Sequence, residues 1–173
     1  MSDSSPTLRP QPDEETIAFA GRVFQLARSG GAEQMRSLLA QGLPPNLRND
    51  KGDTLLMLAA YHLQTDTVHA LLEGGADPEI ANDRGQTPLG AACFKGGEEI
   101  VRLLLEHGAR IEGHGGDGRT PLMMAAMFNR TGLVRLLLEQ GADREARDAR
   151  GMTALDAARA MNAPDTAALL AEG

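Results

Sequence analysis

Apolar residues along this chain fall into short helical clusters that return at a fixed step. The pair Leu38-Leu39 recurs as Leu71-Leu72, Leu104-Leu105 and Leu137-Leu138, and the series ends at Leu170. Leu56, Leu89, Leu122 and Leu155 mark a second cluster, and Ala59, Ala92, Ala125 and Ala158 follow on the same step. Between the clusters, polar and glycine positions keep time. Gly52, Gly85, Gly118 and Gly151 are each 33 residues apart, as are Thr54, Thr87, Thr120 and Thr153. Gly42, Gly75, Gly108 and Gly141 close each unit, and no insertion or deletion breaks the register from Leu38 to Leu170. So many coincident positions identify an internal repeat.

One unit shows the physics of all. Asp83-Arg84-Gly85-Gln86 has the composition of a tight turn whose glycine takes a positive φ. Thr87 is the helix cap and Pro88 the first helical residue, where its missing N–H costs little. Leu89, Ala92 and Cys93 form one apolar face, and the small alanines let neighbouring helices approach closely. Gly96 should end this helix in a left-handed cap. A second helix is expected from about Glu98, burying Ile100, Val101, Leu103, Leu104 and Leu105, with Gly108 ending it. One such pair cannot bury both sides of its apolar surface. Stacked pairs can, so stability must come from the interfaces between neighbours.

The pattern predicts five units. The first, about residues 16–48, is degenerate and reads as an N-terminal cap. Three full units follow at 49–81, 82–114 and 115–147, and residues 148–173 read as a C-terminal cap. Residues 1–15 contain three prolines and three serines and read as a flexible tail. Ile17, Phe19, Val23 and Phe24 are expected to shield the first core interface.

These residues resemble the ankyrin repeat family. The nearest stretches are Gly85-Gln-Thr-Pro-Leu89 with Glu99-Ile-Val-Arg-Leu-Leu-Leu-Glu-His-Gly-Ala109, and Gly118-Arg-Thr-Pro-Leu122 with the run from Leu133 to Asp143. The resemblance covers about nine-tenths of the chain. It implies an all-α solenoid of helix pairs with projecting β-turn fingers, and protein–protein binding as its activity. Departures are visible too. The family pattern has a histidine after Thr-Pro-Leu that fastens adjacent turns, and here those positions are Met57, Gly90, Met123 and Asp156. Leu55 replaces the usual proline in the second unit. Leu63, Asn129 and Asn162 replace the glycine that ends the first helix. Asparagine tolerates a left-handed conformation, whereas leucine there would be strained by roughly 1 kcal/mol or more. Residues 112–118 carry four glycines, which predicts an unusually mobile finger.

Composition narrows the function classes. The chain has 173 residues and a net charge of −7, an acidic balance that argues against a duplex-DNA binder. The one cysteine, Cys93, excludes an internal disulfide and any multi-cysteine zinc site. No run approaches the roughly 20 apolar residues of a membrane span, and the N-terminus lacks the features of a secretory signal. A cytoplasmic location is the expectation. Arginine outnumbers lysine 15 to 2, a bias that fits a GC-rich bacterial genome.

No catalytic constellation emerges. The glycine run 113–118 lacks the lysine and preceding strand of a phosphate loop. His62, Asp66 and His69 have metal-ligand types, but the helix break expected at Leu63 undoes their spacing. His69 with Glu73 reads as a solvated pair, and His107 as a residue at a helix C-terminus. Cys93 reads as a small packed hydrophobe. The carboxylates form no recurrent pair for acid–base work. No cofactor is expected.

The resemblance places a binding surface on the finger tips and the ends of the first helices. By the period, the helix ends are Tyr61 and His62, Phe94 and Lys95, then Met127 and Phe128. Every aromatic residue beyond the first unit lies on these two positions. Aligned along the array, they predict an apolar stripe of the kind that anchors an interface. The competing reading packs them against the fingers. The fingers supply a polar rim: Asp50, Lys51 and Asp53; Asp83, Arg84 and Gln86; Asp117 and Arg119; Arg150 and Met152. The leading expectation is therefore a non-enzymatic module that binds another protein. Self-association through the same stripe is the alternative, and an enzyme completed by a partner chain is a third.

Overall fold

The computed structural model describes residues 11–173. Ten helices among them form five hairpins: α1 (Glu14–Ser29) with α2 (Ala32–Ala40), α3 (Leu55–Tyr61) with α4 (Thr65–Glu73), α5 (Pro88–Lys95) with α6 (Glu98–Glu106), α7 (Pro121–Met127) with α8 (Thr131–Glu139), and α9 (Ala154–Ala160) with α10 (Pro164–Ala171). Beyond α1, none exceeds nine residues. Helices so short are not stable alone in water, so packing must hold them. The first helices α1, α3, α5, α7 and α9 pack side by side in chain order. Behind them, α2, α4 and α6 pack in turn, and α8 packs on α10. The described residues contain no strand; one isolated antiparallel bridge, Arg48 to Thr54, closes the first finger.

The capping threonines act as their spacing predicts. The hydroxyl oxygens of Thr54, Thr87, Thr120 and Thr153 accept from the amides of Met57, Gly90, Met123 and Asp156 at 3.1–3.3 Å. Each satisfies a helix amide that has no partner within its own helix. Pro88 and Pro121 stand in the first turn. The alanines Ala59, Ala92, Ala125 and Ala158 are fully buried, so the first helices meet through their smallest side chains. Leu56, Leu89 and Leu122 fill the layer beside them, with Leu155 partly buried in the last unit.

Two expectations need correction. Only Ile100, Val101 and Leu104 of α6 are buried; Leu103 and Leu105 flank that face and are half-covered. Val23 and Phe24 do shield the first interface, but Ile17 and Phe19 are 58% and 41% exposed. The cause is length: α1 has 16 residues and α3 seven, so the opening turns of α1 overhang the helix they pack on. The tail assigned to residues 1–15 lies mostly outside the described residues, and α1, capped by Asp13, already begins at Glu14.

The bend inside each hairpin takes a left-handed residue. Gly30 and Gly96 fill it in two hairpins, with φ of 91° and 86°. In the others it is Leu63, Asn129 and Asn162, with φ of 56°, 56° and 52°. The leucine therefore adopts the strained conformation that its position demands.

Candidate functional site

The fingers are built by side chains that fold the backbone onto themselves. Oδ1 of Asn49 accepts from the amides of Lys51 and Asp53, both at 2.9 Å. Oδ1 of Asn82 accepts from Arg84 and Gln86 at 3.1 and 2.9 Å. Oδ1 of Asp148 accepts from Arg150 and Met152, both at 2.9 Å. These Asx turns aim the tips without any regular sheet. Adjacent fingers are also joined. The amide of Asp83 donates to the carbonyl of Lys51 at 3.1 Å, and that of Ala149 to Asp117 at 3.0 Å. The Asn82 side chain donates to Asp53 at 2.8 Å, and the Arg48 guanidinium reaches the Gly52 and Ala81 carbonyls.

The third finger differs. Gly115 stands where the others have Asn49, Asn82 and Asp148, so the one side-chain oxygen that folds this turn is that of Asp117, which accepts from the Arg119 amide at 3.1 Å. A Cβ on Gly115 would lie 2.0 Å from the Gly85 carbonyl oxygen. Its glycine therefore has a packing role: it lets the second and third fingers approach backbone to backbone. Among the described residues no backbone hydrogen bond joins those two fingers.

Behind the tips, the ends of α3, α5 and α7 bring the aromatics together. The Tyr61 and Phe94 rings lie 6.1 Å apart, centroid to centroid, and nearly parallel at 17°. Phe94 meets Phe128 edge to face at 4.6 Å. Such pairs are favoured by the ring quadrupoles. Lys95 Nζ stands 5.0 Å over the Tyr61 ring, a cation–π contact. Tyr61 is 40% exposed, while Phe94, Met127 and Phe128 are half-buried. The rings cover one another in part and keep an open face.

Fingers and helix ends enclose a groove of about 740 Å³. Tyr61, His62, Phe94, Met127 and Phe128 line its apolar side, and Asp50, Lys51, Asp53, Arg84, Gln86, Asp117 and Arg119 its polar side. Three expected residues stand apart. Asp83 faces Arg48 at 3.4 Å, Lys95 reaches the groove only through its place over Tyr61, and Arg150 belongs to the fourth finger beyond it. Sequence reasoning missed Arg28, Met57, Gly90, Ala91 and Met124, which line the same groove. The period held the signal: Arg28 lies one step before Tyr61, and Met57 and Gly90 share one position.

The remaining titratable groups have structural surroundings. Cys93 is wholly buried, and burial pushes its thiol up, away from the nucleophilic thiolate. His69 pairs with Glu73 at 3.2 Å one helical turn away, and His107 Nδ1 stands 2.8 Å from the Leu103 carbonyl. Among the described residues, no three His, Cys, Asp or Glu side chains converge as metal ligands. No described helix is long and apolar enough to cross a membrane.

Comparison with known proteins decides the family. A model of ankyrin repeats, described as three copies, matches residues 23–114 and 111–173. The chain belongs to the ankyrin repeat family. A chain of Pseudomonas aeruginosa strain PAO1 named as an ankyrin repeat protein is 56% identical to it over 68 residues. That match takes in 39% of this chain and 38% of the relative, so it spans well under half of either. Ankyrin repeats generally mediate protein–protein interaction. In this ankyrin array, one of the four positions that lack the family histidine rebuilds a hydrogen bond. Asp156 accepts from the Thr153 amide at 3.0 Å while Thr153 accepts from Asp156, a reciprocal capping box.

Proposed function

We propose that this ankyrin repeat chain is a non-enzymatic binding module that holds a partner protein in its groove. Tyr61, Phe94 and Phe128 are the apolar anchors, with Met127 beside them. The finger residues around Lys51, Arg84 and Arg119 form the polar rim. The observation that carries the reading is the open aromatic row on the wall of the groove. Aromatic side chains supply much contact area at little conformational cost, and they dominate interface energetics when buried by a partner. The cross-finger hydrogen bonds pre-order the rim, so little entropy is lost on docking. An interface of about 1,200–2,000 Å² in total is expected. The single buried cysteine suits a reducing cytoplasm. The arginine bias and the pseudomonad relative support a bacterial source.

The test compares wild type with Tyr61→Ala/Phe94→Ala/Phe128→Ala in affinity capture from a lysate of the source organism. Circular dichroism must show both folded. A protein retained by wild type and lost by the triple variant is the expected result. Equal retention by both would move the site to the fingers or the convex face. A concentration-dependent dimer in light scattering, abolished by the same triple variant, would replace the reading with self-association.

A further inference from the structure

The charge lining the groove departs from that of the chain. The protein carries −7, yet four cations line the groove: Arg28, Lys51, Arg84 and Arg119. Its carboxylates are largely engaged by the protein itself. Asp53 accepts from the Asn82 and Asn49 side-chain amides at 2.8 and 3.2 Å. Asp117 accepts from the Arg119 amide and pairs with its guanidinium at 3.4 Å. Asp50 alone of the three has no side-chain or amide donor among the described residues; Asp53 keeps its charge beneath its two amide donors, so four cations face three carboxylates in the lining. By contrast, Arg28, Lys51 and Arg84 make no ion pair among the described residues. The distribution of lysine points the same way. The chain has two, Lys51 in the groove and Lys95 over the Tyr61 ring.

We infer that the occupant of the groove is an acidic segment of the partner protein. Its carboxylates meet Lys51, Arg84 and Arg28, and one large apolar side chain lies on the Tyr61–Phe94–Phe128 row. This rests on the protein-binding reading above and names the chemistry of its partner. At physiological salt, charges farther than about 8 Å are largely screened, so a docked segment senses the groove's own charges, in which cations outnumber carboxylates, and not the net charge. A basic segment would set like charges against three unpaired cations, which is the repulsive half of specificity. A nucleic acid would carry its phosphates past the groove onto an acidic surface, where the attraction that drives such binding is lost.

The probe is a library of random peptides displayed on phage and selected on the immobilised full chain. Enriched peptides are then titrated by fluorescence anisotropy against three proteins, each checked for folding. These are wild type, Lys51→Glu/Arg84→Glu and Phe94→Ala/Phe128→Ala, with Tyr61→Ala as the milder substitute should the last not fold. Enriched peptides should carry several Asp or Glu around one aromatic or large aliphatic residue. Charge reversal should weaken them by about tenfold or more, and neutral Lys51→Gln/Arg84→Gln by less. Neutral or basic peptides that need Phe94 and Phe128 but ignore charge reversal would overturn the acidic partner and leave groove binding intact. Peptides indifferent to both sets of variants would overturn groove binding as well. An empty selection, or tighter binding of single-stranded oligouridylate through Lys51 and Arg84, would also overturn the inference.

Discussion

At Leu63 a residue works against its own backbone. A left-handed leucine costs about 1–2 kcal/mol relative to a helical one, and the Leu63 side chain, 43% exposed, rests against Gly97 of the next unit. Leu63→Asn keeps the geometry with a residue that tolerates it, as Asn129 and Asn162 do. It should raise stability by about 0.5–1 kcal/mol, seen as a higher urea midpoint at unchanged slope. A lower midpoint would show that contact with Gly97 outweighs the strain. Thr67 carries a different cost. It is fully buried, and its hydroxyl has no hydrogen-bond partner among the described residues. One and two steps along the period, the same position holds Ile100 and Leu133. At the next step, Thr166 donates to the Ala126 carbonyl at 2.7 Å. Thr67→Val should therefore stabilise by about 1 kcal/mol, and Thr166→Val should cost a similar amount. Thermal melts of the two variants moving in the same direction would refute the contrast.

At the scale of an element, the fingers show how much chemistry a short loop needs. Asn49, Asn82 and Asp148 build the same turn, but only Asp148 carries charge. Its carboxyl is held below the ordinary aspartate range, first by the Met152 amide, with help from the Arg150 amide and the nearby guanidinium groups of Arg150 and Arg119. A depressed folded-state pKa stabilises above the unfolded value, and that stability is lost as pH falls through the folded one. Asp148→Asn keeps the turn and removes the titration. Between about pH 4 and pH 2 its unfolding free energy should fall less steeply than that of wild type. Urea melts across that range would show parallel curves if Asp148 contributed nothing. The turns and the helix starts were legible because each depends on a residue type that recurs at one position, and the aromatic stripe because its rings fall on two adjacent positions at the ends of the first helices. The links between neighbouring loops were not. Asn46, Glu79 and Glu112 share one periodic position and accept from the amides of Asp77, Arg110 and Asp143 at 2.7–2.9 Å. An amide oxygen and a carboxylate serve equally there, so no single letter marks the role. The overhang of Ile17 and Phe19 was hidden for the opposite reason: α1 outgrows its repeat, and the period says nothing about a length it does not share.

Over the whole molecule, every unit leans only on its neighbours, so each interface matters on its own account. The junction of the second and third fingers is the exposed case, since backbone meets backbone there with no hydrogen bond between them among the described residues. Gly115→Ala would drive a methyl group against the Gly85 carbonyl. It should cost about 1–3 kcal/mol and reduce peptide binding in the groove, while the α1–α2 hairpin keeps its amide protection in hydrogen exchange. Uniform loss of protection along the array would show that the units unfold as one. The position of Tyr61 has an optical consequence. The chain has no tryptophan and one tyrosine. That tyrosine lies against Phe94, beneath Lys95 and beside the groove. Its emission is thus a native signal from the groove wall alone. An arriving segment that covers the ring must alter it without any label, and any indole emission from the complex belongs wholly to the partner.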